Sequence, residues 1–305
     1  MSSTSTDEIS LKDVWKEVYR RKWLLILVSV LFSVIAAVIA LNLPNLYKSK
    51  ITLVPHSEEQ GGLSSLAKNF GGLASLAGMG LGDSGGPDPA VVALEILKSQ
   101  HFITKFIRKH KLIVPLMAAI GSDPMRYELI LDEDVYNIAD NKWMREVSPP
   151  KLIEPSDEEI YKEFMDIFEI SQDPKTGFIS ASIEFFSPKI AQEWLQLIIL
   201  DINNEIKLTD RIEAEKSILF LNKTLARTSN TNMQTTFYQL IEEQSKKLML
   251  TESREEYIFK SIFPATLPEK RSKPSRVLIV LAGIILGGIL SLFYILTRYF
   301  IIHEE

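Results

Sequence analysis

The sequence predicts an α+β membrane protein in which two transmembrane helices flank one large mixed α/β domain carrying a long helical arm. Three observations predict it. Two uncharged apolar runs lie near the ends of the chain, β-patterned segments lie between them, and no proline interrupts residues 189–263.

The first apolar run is Trp23 to Leu43, WLLILVSVLFSVIAAVIALNL, and the second is Val277 to Leu296, VLIVLAGIILGGILSLFYIL. As helices rising ~1.5 Å per residue, each matches the roughly 30 Å hydrocarbon thickness of a bilayer. A buried helix of a soluble core is the alternative, but uncharged runs of this length bordered by charge clusters point to spans. The first run makes a poor cleavable signal. Asp7, Glu8, Asp13 and Glu17 precede it, and Ala37, Val38, Ile39 and Ala40 offer no good small-x-small cleavage pair.

The expected order is therefore a cytoplasmic segment 1–22, a transmembrane helix 23–43, an external domain 44–276, a second transmembrane helix 277–296 and a cytoplasmic tail 297–305. Orientation rests on Lys12, Lys16, Arg20, Arg21 and Lys22, which outweigh Lys48 and Lys50 across the first span and put the N-terminus in the cytoplasm. The flanks of the second span argue the other way, with Lys270, Arg271, Lys273 and Arg276 before it and Arg298 after. The first helix usually dominates, and long domains translocate largely regardless of charge. Segments 1–22 and 297–305 are too short for a kinase or cyclase, so the activity is expected in the large domain, the spans, or both.

The chain has no cysteine, which excludes disulfide frameworks, thiolate metal sites and cysteine nucleophiles. The charges outside 44–276 cancel, so the large domain holds the chain's formal net charge of −5. Nucleic acid is accordingly not an expected partner.

Within the domain, YKSKITLVP (Tyr47 to Pro55) alternates and is rich in β formers, so it reads as a strand. Residues 61–86 are glycine-rich, with GGL-x-SLA at Gly61 and again at Gly71. No Gly-Lys-Ser/Thr follows, so a phosphate loop is less fitting than a small-residue segment packed against a subunit or the membrane. Pro89 to Leu112 reads as a helix with Asp88 as N-cap. His101 and His110 fall in it nine apart, on no shared face for a metal, and together with His56 and His303 they read as ordinary polar residues. Residues 121–150 read as loop and short helix, with Asp132, Glu133 and Asp134 on a solvated face. Ser156 and Glu159 form a capping box, and Ile167–Ser171 with Gly177–Phe186 form a hairpin.

A long arm follows, over about 188–257. A helix from Lys189 to Arg227 would reach about 58 Å, interrupted by TSNTN (Thr228 to Asn232) before a second segment from Met233 to Tyr257. Its apolar residues Trp194, Leu195, Ile198, Ile199, Ile202, Ile206, Ile212, Leu219 and Phe220 exceed what one subunit can bury. Pro264, Pro268 and Pro274 then punctuate a basic linker, 264–276, stiffened by fixed φ and missing backbone donors. Gly283 and Gly287 stand at small-x3-small spacing in the second span, where backbones approach closely.

SLKDVWKEVYRRKWLLI, YKSKITLVP, VALEILKSQHFITKFI, FFSPKIAQEWLQLIILDINNEI and FPATLPEKRSKPSR with Gly283 and Gly287 together resemble the Wzz family, the chain-length determinant proteins or polysaccharide co-polymerases. KPSR keeps the family's proline-serine-proline order only approximately. The resemblance implies a bacterial inner-membrane protein with cytoplasmic termini, a periplasmic α/β base with a helical arm, and a homo-oligomeric ring. It further implies control of O-antigen (lipopolysaccharide) modal chain length with a Wzy-type polymerase and lipid-linked polysaccharide. No catalytic constellation, cofactor site or metal site is read from the residues, and Gly-x-Ser-x-Gly, His-Glu-x-x-His and phosphate-loop motifs are missing. The expectation is a non-enzymatic regulator in which Pro264, Pro268, Pro274, Gly283 and Gly287 couple the domain to span packing. The alternatives are a co-polymerase for capsule, exopolysaccharide or enterobacterial common antigen, and a periplasmic sensor that signals through a partner protein.

Overall fold

Alternation in YKSKITLVP produces strand β1, Tyr47–Pro55, whose Ser49, Ile51 and Leu53 turn to one buried face while Lys50 stays in solvent. A computed structural model describes residues 19–56, 88–123 and 125–303. The glycine-rich segment 61–86 and its GGL-x-SLA repeats lie outside the described residues. The chain divides into two units, residues 1–46 with 271–305, and residues 47–270.

In the larger unit, the N-cap at Asp88 is as the sequence predicts: its carboxylate accepts from Ala90 N at 2.9 Å and starts α2, Pro89–Lys98. The expected continuous helix to Leu112 is instead two. Ser99 adopts extended backbone and its hydroxyl accepts from Phe102 N, opening α3, Gln100–Lys109. A side-chain acceptor that satisfies an orphan N–H makes a new start as favourable as continuation. A short α4, Ile113–Ala118, follows. Residues 121–150, expected as loop and short helix, hold most of two small ladders, the first beginning at Ala119. Strand β2, Ala119–Ser122, pairs with β3, Leu129–Leu131, and β4, Tyr136–Asn137, pairs with β5, Lys142–Trp143.

The capping box at Ser156 and Glu159 opens α5, Asp157–Ile167, with both reciprocal hydrogen bonds present. The hairpin then forms from β6, Phe168–Gln172, and β7, Ile179–Phe185, with Gly177 at φ +73° in its turn, a conformation open to glycine at no steric cost. Helix α6 runs from Pro188 to Leu225, 38 residues or about 57 Å. Its end is set by the helix-poor stretch after Arg227, where the Asn230 side chain accepts from Asn232 N and Met233 N and caps α7, Thr231–Ser253. Strand β8, Phe259–Phe263, closes the sheet, whose order is β6-β7-β1-β8 with every pair antiparallel.

One face of this sheet carries the core. Ile51 and Leu53 of β1 and Ile179, Ala181, Ile183 and Phe185 of β7 pack with Trp194, Leu195, Ile198 and Ile202 of α6 and with Leu97, Phe106 and Phe164 from α2, α3 and α5. Fully burying each such side chain contributes about 1.5–3 kcal/mol, so this cluster fixes the lower half of α6 firmly. The upper half differs: Leu219 is 75% exposed and Phe220 66%. The apolar stripe read along the arm is thus half core and half surface.

In the smaller unit, α1, Lys22–Asn42, and α8, Arg276–His303, are both long and apolar enough to cross a membrane. Most of their large apolar residues are exposed, among them Leu27, Leu31, Val34, Ile285, Ile289 and Phe293. A core helix of a soluble protein would hide that face. The mixed α+β content and the two apolar helices thus agree with the fold class expected from the sequence.

Candidate functional site

Glycine spacing decides how α1 and α8 meet. A Cβ added at Gly283 would stand 2.6 Å from Ala36 Cβ and 3.0 Å from the Phe32 carbonyl oxygen. One at Gly287, a turn further, would stand 2.8 Å from Ser29 Cα and 3.2 Å from the Val28 carbonyl oxygen. The helices therefore run antiparallel, with both glycines buried where the backbones nearly touch. In lipid no hydrophobic drive pushes helices together, so close backbone packing of this kind supplies the association energy. Outside the glycine face, Tyr19 and Trp23 are exposed and Lys22 Nζ lies 4.4 Å from the Tyr19 ring centroid, the amphipathic set that suits a membrane–water boundary.

The strand-like ends of this unit are tied to each other. Leu46 N donates to the Lys273 carbonyl at 3.0 Å, Ser272 N donates to the Leu46 carbonyl at 2.7 Å, and an Arg276 Nη2 donates to Asn45 Oδ1 at 3.2 Å. Pro274 sits beside this bridge. Pro264 and Pro268 belong to the larger unit, where the stretch between them is fastened rather than free. Thr266 N donates to the Lys50 carbonyl, Ser49 Oγ to the Thr266 carbonyl at 2.7 Å, and Gln192 Nε2 to the Ala265 carbonyl at 2.7 Å. Ala265 is buried. The proline-punctuated segment read as a linker thus continues along β1 as far as Thr266, because its non-proline residues still offer backbone donors and acceptors. Of the five residues singled out in sequence, the two glycines share a helix face of the smaller unit, Pro274 belongs to that unit, and Pro264 and Pro268 belong to the larger.

The arm is built by α6 and α7 packed antiparallel. Lys247 Nζ lies 2.9 Å from Asp210 Oδ1, Tyr257 Oη donates to Asp210 Oδ2 at 2.8 Å, and Lys207 Nζ donates to the Arg254 carbonyl. Its root is held by Asn203, a residue the sequence reading passed over. The Asn203 Oδ1 accepts from Ile258 N and Phe259 N, while its Nδ2 donates to the Phe259 and Ile199 carbonyls, all in a buried setting. A polar residue among Ile198, Ile199 and Ile202 is the one signal that marked it, since an amide there must find partners.

His110, read as an ordinary polar residue, places Nε2 2.9 Å from Asp201 Oδ2, and Lys109 Nζ lies 2.7 Å from Asp201 Oδ1. Asp201 is buried, so this cluster keeps a carboxylate paired on α6 and ties α3 to it. Nearby, the Arg145 guanidinium at 2.8 Å from Glu159 Oε2 and the Ser156 N–H hold the Glu159 carboxyl at about 2, below the usual range. No group of histidines and carboxylates able to hold a metal occurs among the described residues.

Residues 7–110 match the family model described as Wzz, chain length determinant protein, which bears out the resemblance drawn from the sequence. Among solved structures, a "full-length bacterial polysaccharide co-polymerase" is 13% identical with a TM-score of 0.39, the alignment covering 96% of this chain and 99% of that one. A fragment of WzzB, a polysaccharide co-polymerase from Salmonella Typhimurium, is 15% identical with a TM-score of 0.30, over 75% of this chain and all of that one. No curated protein matches the chain.

Proposed function

From a chain whose residues 7–110 match the Wzz chain length determinant family model, we propose a non-catalytic regulator of the modal chain length of O-antigen, working beside a Wzy-type polymerase on lipid-linked polysaccharide. The family match carries this reading. In it, α1 and α8 anchor the protein in the inner membrane with both termini cytoplasmic, the basic cluster Arg20, Arg21 and Lys22 setting the orientation. The domain 47–270 faces the periplasm.

Copies of the chain assemble as a ring. The support for assembly is the exposed upper half of the arm, where Leu208, Ile212, Leu219, Phe220, Met233 and Tyr238 leave apolar surface to solvent in a single subunit. The ring offers repeated surfaces to the growing polymer, and its geometry biases when elongation stops. Gly283 and Gly287 transmit the state of the domain to the packing of the spans through the segment bearing Pro264, Pro268 and Pro274.

Deleting the gene and running lipopolysaccharide on a gel tests the reading: modal banding should give way to an unregulated ladder. Unchanged banding with altered capsule or common antigen would move the chain to another polysaccharide. Unchanged polysaccharide of every kind would favour a periplasmic sensor.

A further inference from the structure

The β4–β5 ladder builds a feature that neither the core nor the spans account for. Tyr136 and Trp143 are cross-strand partners of β4 and β5, and their rings pack edge to face with centroids 4.9 Å apart. They form one wall of an open cleft of about 280 Å³. Ile113 and Val114, half-buried on α4, give it an apolar floor. Arg108, Lys111 and Asn141 complete the lining, which contains no carboxylate.

The polar groups of this cleft are donors in excess. Asn141 Oδ1 accepts from the Tyr136 hydroxyl at 3.3 Å, and its Nδ2 has no acceptor among the described residues. Arg108 spends Nε and Nη2 on Asp157 Oδ1, and its Nη1 has no acceptor among the described residues. The Lys111 ammonium is exposed and makes no ion pair among the described residues. Lys111 and Asn141 also hold positive φ, 57° and 49°, so both are aimed by backbone that few side chains adopt. In a domain of net negative charge, this is a local concentration of donors around the Lys111 ammonium.

The aromatic wall narrows the choice of ligand. An edge-to-face pair uses at most one face of one ring, so π-surface remains for a flat apolar patch on a ligand. Aromatic rings set beside amide, guanidinium and ammonium donors suit a pyranose, whose C–H face stacks and whose oxygens accept. The volume lies just under the ~300–1,000 Å³ of drug-sized pockets and admits a sugar ring or two.

We propose that the cleft between Tyr136, Trp143, Lys111 and Asn141 binds a carboxylate-bearing sugar ring of a polysaccharide, the rings stacking on the pyranose and Lys111 taking the carboxylate. The inference rests on the polysaccharide reading above and assigns it a contact surface. Because the cleft is open, each ring binds weakly, with a Kd near the millimolar range, and many copies of the site along one polymer would add by avidity.

The test titrates the full-length protein in detergent with trigalacturonate, maltotriose and AMP, read by saturation-transfer NMR and calorimetry. Trigalacturonate should bind at least tenfold more tightly than maltotriose or AMP. Trp143→Ala should weaken it at least tenfold, and Asn141→Gly, which keeps the positive φ, a few-fold. Lys111→Gln, a surface change that leaves the ladders intact, should erase the preference for the acidic sugar while sparing maltotriose. Equal binding by Trp143→Ala and Lys111→Gln, or AMP binding as tightly as trigalacturonate, overturns the proposal. These measurements are independent of the gene-deletion gel. Failure here with lost modal banding there removes the cleft and keeps the regulator, while the reverse keeps a sugar site on a protein of another role.

Discussion

Two helix pairs organise this chain, and both expose long apolar stripes, yet they hold together by different means. Helices α1 and α8 meet through Gly283 and Gly287, with backbones almost in contact and large apolar side chains turned outward all round. Helices α6 and α7 meet through a paired polar contact, Lys247 with Asp210, plus small buried groups at Ala214 and Thr251, and Tyr257 just past α7 donates to the same Asp210. The difference follows from the solvent. In hydrocarbon, apolar exposure costs nothing and only close fit selects a partner, whereas in water exposed Leu219 and Phe220 are a liability until another protein surface covers them.

The largest expected effect comes from filling the glycine notches. Gly283→Leu with Gly287→Leu should force α1 and α8 apart, because the atoms facing each added side chain include backbone that cannot give way; overpacking of this kind costs about 1–3 kcal/mol per site. Ser29 and Gly288 report on it, since a Cβ at 288 would lie 3.7 Å from Ser29 Oγ. A Ser29→Cys/Gly288→Cys pair in this cysteine-free chain should cross-link on oxidation in the native background and fail to do so beside the two leucines. Efficient cross-linking in both would mean the glycines do not set the spacing. The polymer length distribution of the double-leucine variant then shows whether span packing is coupled to regulation.

The arm should respond to loss of its root rather than to its length. Asn203→Leu strands two buried N–H groups and a carbonyl of residues 258 and 259, each worth about 1–3 kcal/mol. A loss of roughly 3 kcal/mol or more in thermal or urea unfolding of the detergent-solubilised protein is expected. The cross-link between positions 29 and 288 should persist in this variant, because that pair does not draw on the arm.

A smaller effect separates electrostatic from packing stabilisation. Glu159→Gln should cost about 1 kcal/mol at neutral pH through the weakened capping box on α5. The native carboxyl lies at about 2 against its ordinary 4.5. The lowered value means its contribution is fully present above about pH 4.5 and is lost as pH falls toward 2. Native and variant proteins should therefore converge in stability on acidification, and a difference that stays constant down to pH 2.5 would contradict the assignment. Neither glycine substitution should show this pH dependence.

Much of this organisation was legible in residue patterns, and what was not had a physical reason. The strand at Tyr47, the caps at Asp88 and Ser156, the hairpin around Gly177 and the glycine face of α8 each depend on local chemistry that a short window contains. The break at Ser99 was hidden because Ser99 lies in an otherwise well-formed apolar period, and only its backbone choice reveals the second cap. The β4–β5 ladder is two residues per strand, too short to leave an alternation. Asn203, His110 and Asp201 find distant partners 55 to 92 positions away, and no spacing rule reaches that far. The fastening of Thr266 to Lys50 spans 216 positions and turns the start of an expected linker into sheet margin.

The smallest effect on the subunit is expected where the consequence for assembly is greatest. Phe220 lies on the upper half of α6, two-thirds exposed, with the core of its own subunit a long way down the helix. Phe220→Ser should change the unfolding free energy of one subunit by no more than about 0.5 kcal/mol, the usual range for a surface site. If the exposed stripe is the contact between copies, the same change should lower the mass of the detergent-solubilised particle measured by light scattering, and restoring an apolar residue with Phe220→Leu should raise it again. A particle whose mass is indifferent to both substitutions would place the contact elsewhere and leave the upper arm free for polymer. Leu219 makes the companion test, since it is more exposed than Phe220 and adjacent on the same turn. An effect from one residue without the other would give the direction in which the stripe faces its neighbour.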